Sequence, residues 1–253
     1  MKKIILVTGA TSGFGKAIAI RFAKHGNDLI ITGRRKERLE QLAAELSREY
    51  SVEVLPLSFD VRSLHQAEKA IGSLTGHWSE IDVLVNNAGL AAGLSPIHEG
   101  DTDDWERMID TNVKGLLYMT RLVAPLMVRR NKGHIINIGS IAGKEVYPNG
   151  NVYCGSKFAV DAITKGTRID LLPHNIKVTH VAPGAAETEF SIVRFHGDEE
   201  RASNVYKGFT PLTGEEIAEV VYYVTTLPAH MNINDLVVMP TAQANAVNFH
   251  KVS

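Results

Sequence analysis

Short, dense aliphatic runs alternate with longer stretches in which apolar positions return every three or four residues, and the alternation persists along most of the chain. Residues 3–8 form the first run, dense enough for a strand buried on both faces. Residues 14–25 follow, with Ile18, Ala19, Phe22 and Ala23 along one helical face. Strands are expected again at 29–32, 52–57 and 81–85, with amphipathic helices at 36–48 and 63–74. Residues 102–130 read as two successive helices, 134–138 as a fifth strand, and 151–172 as a helix stopped by Pro173. A strand at 177–181, a helix at 215–226 and a strand at 235–239 complete the series. This order predicts one doubly wound α/β domain spanning 1–253, with a parallel sheet of about seven strands, the first strand central, and helices on both faces.

Two segments break the rhythm. Residues 188–213 carry Phe190, Arg194, Phe195 and His196 ahead of an acidic run, Asp198 to Glu200, and read as a cover over a substrate. Residues 240–253 form a tail. An apolar content of 44% over 253 residues is ample for a single large core. The net charge is −1 with Lys and Arg scattered, which leaves no electrostatic footprint for nucleic acid or an anionic membrane. No apolar run reaches the roughly 18 residues of a membrane helix, and the first strand-like run begins at Ile4. A cytoplasmic protein without a signal peptide is therefore expected. The single cysteine, Cys154, excludes an internal disulfide, and with ten scattered histidines it forms no zinc pattern; no metal is expected.

Candidate chemistry gathers where strands end, the rim at which an open α/β sheet binds its ligands. Between the first strand and helix lies Thr8-Gly9-Ala10-Thr11-Ser12-Gly13-Phe14-Gly15. Its glycines let the backbone turn tightly and approach a ligand, and free amides at the helix start favour an anion such as a dinucleotide pyrophosphate. The second strand ends in Gly33-Arg34-Arg35, with no carboxylate for ribose hydroxyls. Two arginines there favour a 2′-phosphate, hence NADP(H), with Arg34 the main contact and Arg35 shared between phosphate and adenine stacking. Asp60, ahead of Val61, accepts from the adenine amino group, caps the helix at 63–74, or both. Asn86-Asn87-Ala88-Gly89 suits a backbone passing close to a ribose. Asn112 stands inside a helix that gains nothing from an amide, and Ser140 follows the fifth strand. Tyr153 and Lys157 lie one helical turn apart, so the ammonium is expected to pull the phenol down from about 10 toward neutral and make it a general acid.

Together these motifs resemble the short-chain dehydrogenase/reductase family over essentially the whole chain, including Pro183-Gly184 and Thr188 after the sixth strand. The resemblance implies a Rossmann fold binding NADP(H), with Gly9, Thr11, Ser12, Gly13, Phe14, Gly15, Arg34, Arg35, Asp60, Val61, Asn87, Ala88, Gly89, Pro183, Gly184 and Thr188 around the cofactor. It makes Tyr153 the proton donor and acceptor, and has Lys157 hold the nicotinamide ribose and lower the tyrosine's pKa. Ser140 hydrogen-bonds the substrate oxygen, Asn112 anchors a relay water and Thr188 steadies the carboxamide. Thr32-Gly33-Arg34-Arg35, Gly150-Asn151-Val152-Tyr153, Val193-Arg194-Phe195 and Leu227-Pro228-Ala229-His230 are similar to a narrower branch. That branch contains NADP-dependent 3-hydroxy acid and serine dehydrogenases, and also reduces malonic semialdehyde and sulfoacetaldehyde. Its substrates pair a carbonyl with a nearby anion, for which Arg194 is the candidate cation and Tyr147 a donor. The resemblance also implies a homotetramer in which Gln243 and Phe249 of the tail reach an adjacent subunit's pocket; the alternative for the tail is a frayed terminus. A non-catalytic NADP-binding sensor, the alternative of another class, would be marked by loss of Tyr153 or Lys157, and both are present.

Overall fold

A computed structural model describes residues 2–252. Strands run at Ile4–Val7 (β1), Asp28–Gly33 (β2), Val54–Ser58 (β3), Val83–Asn86 (β4), Gly133–Ile138 (β5), Ile176–Pro183 (β6) and Asp235–Val238 (β7). They pair in the order β3-β2-β1-β4-β5-β6-β7, and every pairing is parallel. The first strand is thus interior but third in line, and β4 takes the middle, because the crossover after β3 returns to the far side of β1.

Side chains alternate across β1 as the strand period demands: Ile5 and Val7 enter one apolar layer, Ile4 and Leu6 the other. The first layer packs against helices Gly13–Lys24 (α1), Lys36–Tyr50 (α2) and, late in the chain, Gly214–Thr226 (α9). The second packs against Leu64–Gly72 (α3) and Leu116–Arg130 (α5). Burial on both faces is why these strands read as continuous apolar runs. Thr102–Ile109 (α4) and α5 are not separated by a break but by a wide π turn, Asp110–Gly115, with Asn112 inside it. Asn151–Leu171 (α6) follows β5, and the stretch expected to be irregular contains two short helices, Phe190–Arg194 (α7) and Glu199–Asn204 (α8). Among the described residues no helix is long and apolar enough to cross a membrane.

Polar groups buried near the rim are paired across elements. The Asn86 amide donates to Asn137 Oδ1 at 2.8 Å and Thr120 Oγ1 at 3.0 Å, and the Asn137 amide donates to Thr164 Oγ1 at 2.9 Å. This chain ties β4, β5, α5 and α6 together, and in a dry interior each bond would be costly to leave unmade. His134 on β5 is also buried, with Nε2 2.8 Å from Thr179 Oγ1. Burial, with smaller contributions from Lys177 and Lys3, lowers its pKa from 6.5 to about 3.

The folded pKa of His134 is depressed, so its contribution is complete above pH 6.5 and is lost as the pH falls toward 3, where only the unfolded chain binds the proton. His134→Gln is expected to flatten the pH dependence of stability below pH 6.5 by up to about 1.4 kcal/mol per pH unit. Urea unfolding from pH 7 to pH 4 checks this; an unchanged slope would show that His134 is not held neutral.

Candidate active site

The chain leaves β1 for β2 and β3 on one side and returns from β3 to β4 on the other, and a cleft of about 490 Å³ opens at the carboxyl ends of these strands. Its floor is the glycine-rich loop. Gly9 and Gly13 adopt positive φ, +67° and +51°, which glycine tolerates best. A Cβ at Gly15 would lie 2.2 Å from the Gly9 carbonyl oxygen, so this glycine sets the close packing of α1 on the loop rather than lining the cleft. Ser12 caps α1 without a side-chain bond to its first amides. Those amides and the glycine cradle fit a dinucleotide pyrophosphate.

The loop is locked to its neighbour by Thr8. Its hydroxyl accepts from the amides of Asn87 at 3.0 Å and Ala88 at 2.9 Å, while the Asn87 side chain donates to Thr8 O at 2.8 Å. The two arginines after β2 separate in the structure. Arg35 folds onto the loop, donating to Thr11 Oγ1 at 2.8 Å and Ser12 Oγ at 3.0 Å, and meets Glu189 at 3.4 Å. Arg34 is exposed at the cleft mouth and makes no hydrogen bond or ion pair among the described residues. The helix cap expected of Asp60 is made instead by Ser63, whose hydroxyl accepts from the Gln66 amide. Asp60 is held by the Arg62 guanidinium at 2.6 and 2.9 Å. Burial raises its pKa, but hydrogen bonds and charge from Arg62, with Arg34 behind, outweigh that and leave it lowered.

Asn112 does not line the cleft. Within the π turn its Oδ1 accepts from Leu90 N at 2.8 Å, and its amide donates to Leu90 O at 2.8 Å and Ser156 Oγ at 3.0 Å. Both amide hydrogens are thereby used, and the group clamps the loop after Gly89 to α6. Ser156, which sequence reasoning missed, donates in turn to Tyr153 O at 2.7 Å; its signal was a hydroxyl on the buried face three residues after Tyr153.

Tyr153 and Lys157 both face the cleft from α6 and are buried, with the ammonium 6.0 Å from the phenol ring centroid. Lys157 donates to Ile138 O at 3.0 Å, and burial lowers its pKa to about 8. The expected downward pull on Tyr153 does not prevail. Burial, then the Tyr147 hydroxyl, push its pKa well up, against lowering by Arg194 and Ser140. The phenol is therefore a stored proton rather than a phenolate. Ser140 stands at the start of a 3-10 turn, Ile141–Gly143, and its hydroxyl accepts from Ala142 N at 3.1 Å.

Arg194, at the end of α7, reaches into the cleft. Its guanidinium donates to the Tyr147 hydroxyl and lies 5.0 Å from the Tyr153 ring centroid and 5.4 Å from that of Phe190. Its Nε is buried without a partner, and Arg194 forms no ion pair with the acidic run among the described residues. Phe190, named in the sequence only as part of the 188–213 segment, meets the Tyr153 ring at 5.6 Å and 60°. Thr188 stands opposite the glycine loop, 3.5 Å from where a Gly13 Cβ would be. Pro183, Gly184, Phe14 and Val61 complete the wall. The tail lines its own chain's cleft: Gln243 Oε1 accepts from Ala185 N at 2.7 Å, and Gln243 pairs with Phe249 as a bridge. Behind Tyr153, Cys154 is fully buried.

The family described as short chain dehydrogenase matches residues 3–198. The NADP-dependent 3-hydroxy acid dehydrogenase YdfG of Salmonella typhi is 52% identical over 244 residues, 96% of this chain and 97% of that protein. Sulfoacetaldehyde reductase 2 of Chromohalobacter salexigens is 47% identical over 245 residues, 96% of each. Among solved structures, the closed form of a serine dehydrogenase complexed with NADP+ superposes with a TM-score of 0.92 at 49% identity, covering 98% of this chain and 100% of that one. With the Rossmann sheet, the glycine loop and the Ser140, Tyr153 and Lys157 cluster on one rim, the chain belongs to the short-chain dehydrogenase family.

Proposed function

We propose that the chain is an NADP(H)-dependent oxidoreductase interconverting a short aldehyde or ketone that bears an anionic group with its hydroxy acid. The observation that carries this reading is Arg194: a guanidinium with a buried, unpartnered Nε, set between Tyr147 and the Tyr153 ring on the wall of the cleft. Such a cation is costly to bury without an anion, and a substrate carboxylate or sulfonate supplies one. The 3-hydroxy acid dehydrogenase and serine dehydrogenase relatives support a carboxylate, and the sulfoacetaldehyde reductase relative supports a sulfonate as the second reading.

NADPH, when bound, supplies the hydride. The chain's own residues handle the proton and the geometry. The buried phenol of Tyr153 gives its proton to the carbonyl oxygen during reduction and takes one from the hydroxyl in the reverse direction. Ser140 hydrogen-bonds that oxygen, and Lys157 holds the ribose while its charge favours the phenolate left behind. Arg34 takes the 2′-phosphate, and residues 188–213 cover the substrate. Exposed apolar side chains on α5 and α6, Leu117, Phe158 and Ile169, support assembly as a homotetramer.

Initial rates of NADPH oxidation with malonic semialdehyde and with sulfoacetaldehyde separate the two readings by kcat/KM, and no turnover of either would overturn the proposal. Arg194→Ala is expected to raise KM for either anionic aldehyde by roughly 10-fold or more, the loss of one charge-assisted pair, and to spare a neutral aldehyde. Arg34→Ala should weaken NADPH binding by roughly 10- to 100-fold with little effect on NADH, whereas Arg35→Ala, which frees the glycine loop, should weaken both. Fluorescence titration of each cofactor reads this difference. For the free enzyme, kcat/KM for NADPH should fall as the pH rises through about 8, where Lys157 loses its proton. A profile flat to pH 10 would leave the lysine charge without a role.

A further inference from the structure

Behind the Ser140 turn lies a charged cluster that the proposed chemistry does not use. The turn is entered from Gly139, whose amide donates to Val181 O at 2.7 Å. A Cβ at Gly139 would lie 2.0 Å from Nε2 of His180, so the imidazole is pressed against this backbone from β6. His180 is 1% exposed, and its Nδ1 lies 2.7 Å from Asp235 Oδ1 on β7. That contact puts the proton on Nδ1 and leaves Nε2, which has no partner among the described residues, as a bare acceptor beneath Gly139.

The other oxygen of Asp235 accepts from the Lys144 ammonium at 2.5 Å, and Lys144 also donates to Asp161 Oδ1 at 2.6 Å. Lys144 closes the same turn, its amide donating to Ile141 O at 2.9 Å. Asp161 lies on α6 one turn beyond Lys157, and its second oxygen pairs with Lys165 at 2.6 Å. Ligand atoms of Asp161, His180 and Asp235 lie within 4.8 Å of one another, a spacing that suits a small cation. The turn inserts its own cation there, the Lys144 ammonium.

One carboxylate, Asp235, thus grips both ends of the turn: His180 under its entry and Lys144 at its exit. We propose that Lys144, Asp161, Asp235 and His180 are positioning residues that hold the Ser140 turn between β6, β7 and α6, and so set the Ser140 hydroxyl against Tyr153. The proposal rests on the reading of Ser140 as the donor to the substrate oxygen. An ion pair fixes direction and register where an apolar contact would allow sliding, and two carboxylates facing one lysine keep the cluster locked while either bond flexes.

Lys144→Met is expected to lower kcat at least tenfold with NADPH affinity unchanged within twofold, and Lys144→Arg to restore most of the loss. In a Ser140→Ala background, Lys144→Met should cost nothing further, because the hydroxyl it positions is already gone. Wild-type kcat in Lys144→Met beside an impaired Ser140→Ala would overturn the proposal alone, as would losses that multiply in the double variant. A fully active Ser140→Ala would instead overturn the reading of Ser140 and the proposal with it. If Lys144→Met does not bind NADPH, Asp235→Asn, which keeps the shape and removes the charge, is judged by the same criteria.

Discussion

The parallel register of the sheet is the constraint on which the site depends. Because all seven strands point the same way, Thr8, Gly33, Asn86, Ser140 and Gly184 reach one rim at or just beyond their ends. Turning one strand over would carry its residue to the opposite edge, some 15 Å away for a strand of about five residues. The rim is then tied laterally by polar side chains rather than by apolar packing. Thr8 joins β1 to the loop after β4, the Asn86 and Asn137 amides join β4 to β5, and Asn112 joins the loop to α6. Apolar layers set how the helices cover the sheet; these bonds set where each functional group stops.

Within that frame, burial is the dominant electrostatic influence on Tyr153 and Lys157. It pushes Tyr153 up and Lys157 down, so each group is drawn toward its neutral form in a site with few formal charges. Arg194 is the exception, a fixed charge brought by α7 and balanced within the described residues only by hydroxyl and aromatic faces. This contrast gives the cleft two ends of different character. Arg34 stands exposed at the mouth, while at the other end Arg194 sits among the rings of Tyr147, Tyr153 and Phe190.

Features carried by a residue's own backbone or charge were legible in the sequence: the glycines of the first turn, the paired arginines, the strand-end amides, and the Tyr153 and Lys157 spacing. Those that depend on packing from distant segments were not. The direction of the Tyr153 shift follows from burial under Tyr147 and Phe190, which no local pair reveals. The π turn at Asn112 preserves helical periodicity closely enough to look like a junction of two helices. Of the roles left open for Asp60, the cap is made by Ser63, since both residue types cap well and only the chain path decides. The path of the tail along its own chain's cleft is set the same way, by Gln243 held across Gly184, where a Cβ would meet Oε1 at 2.5 Å.

Cys154 has a consequence of a different kind. It is the sequence's sole sulfhydryl, fully buried and adjacent to the Tyr153 phenol. A thiol-reactive dye therefore has no target while α6 stays docked against its neighbours. The rate at which such a dye labels the protein counts the excursions in which α6 lifts away, and a ligand that seals the cleft would slow that clock.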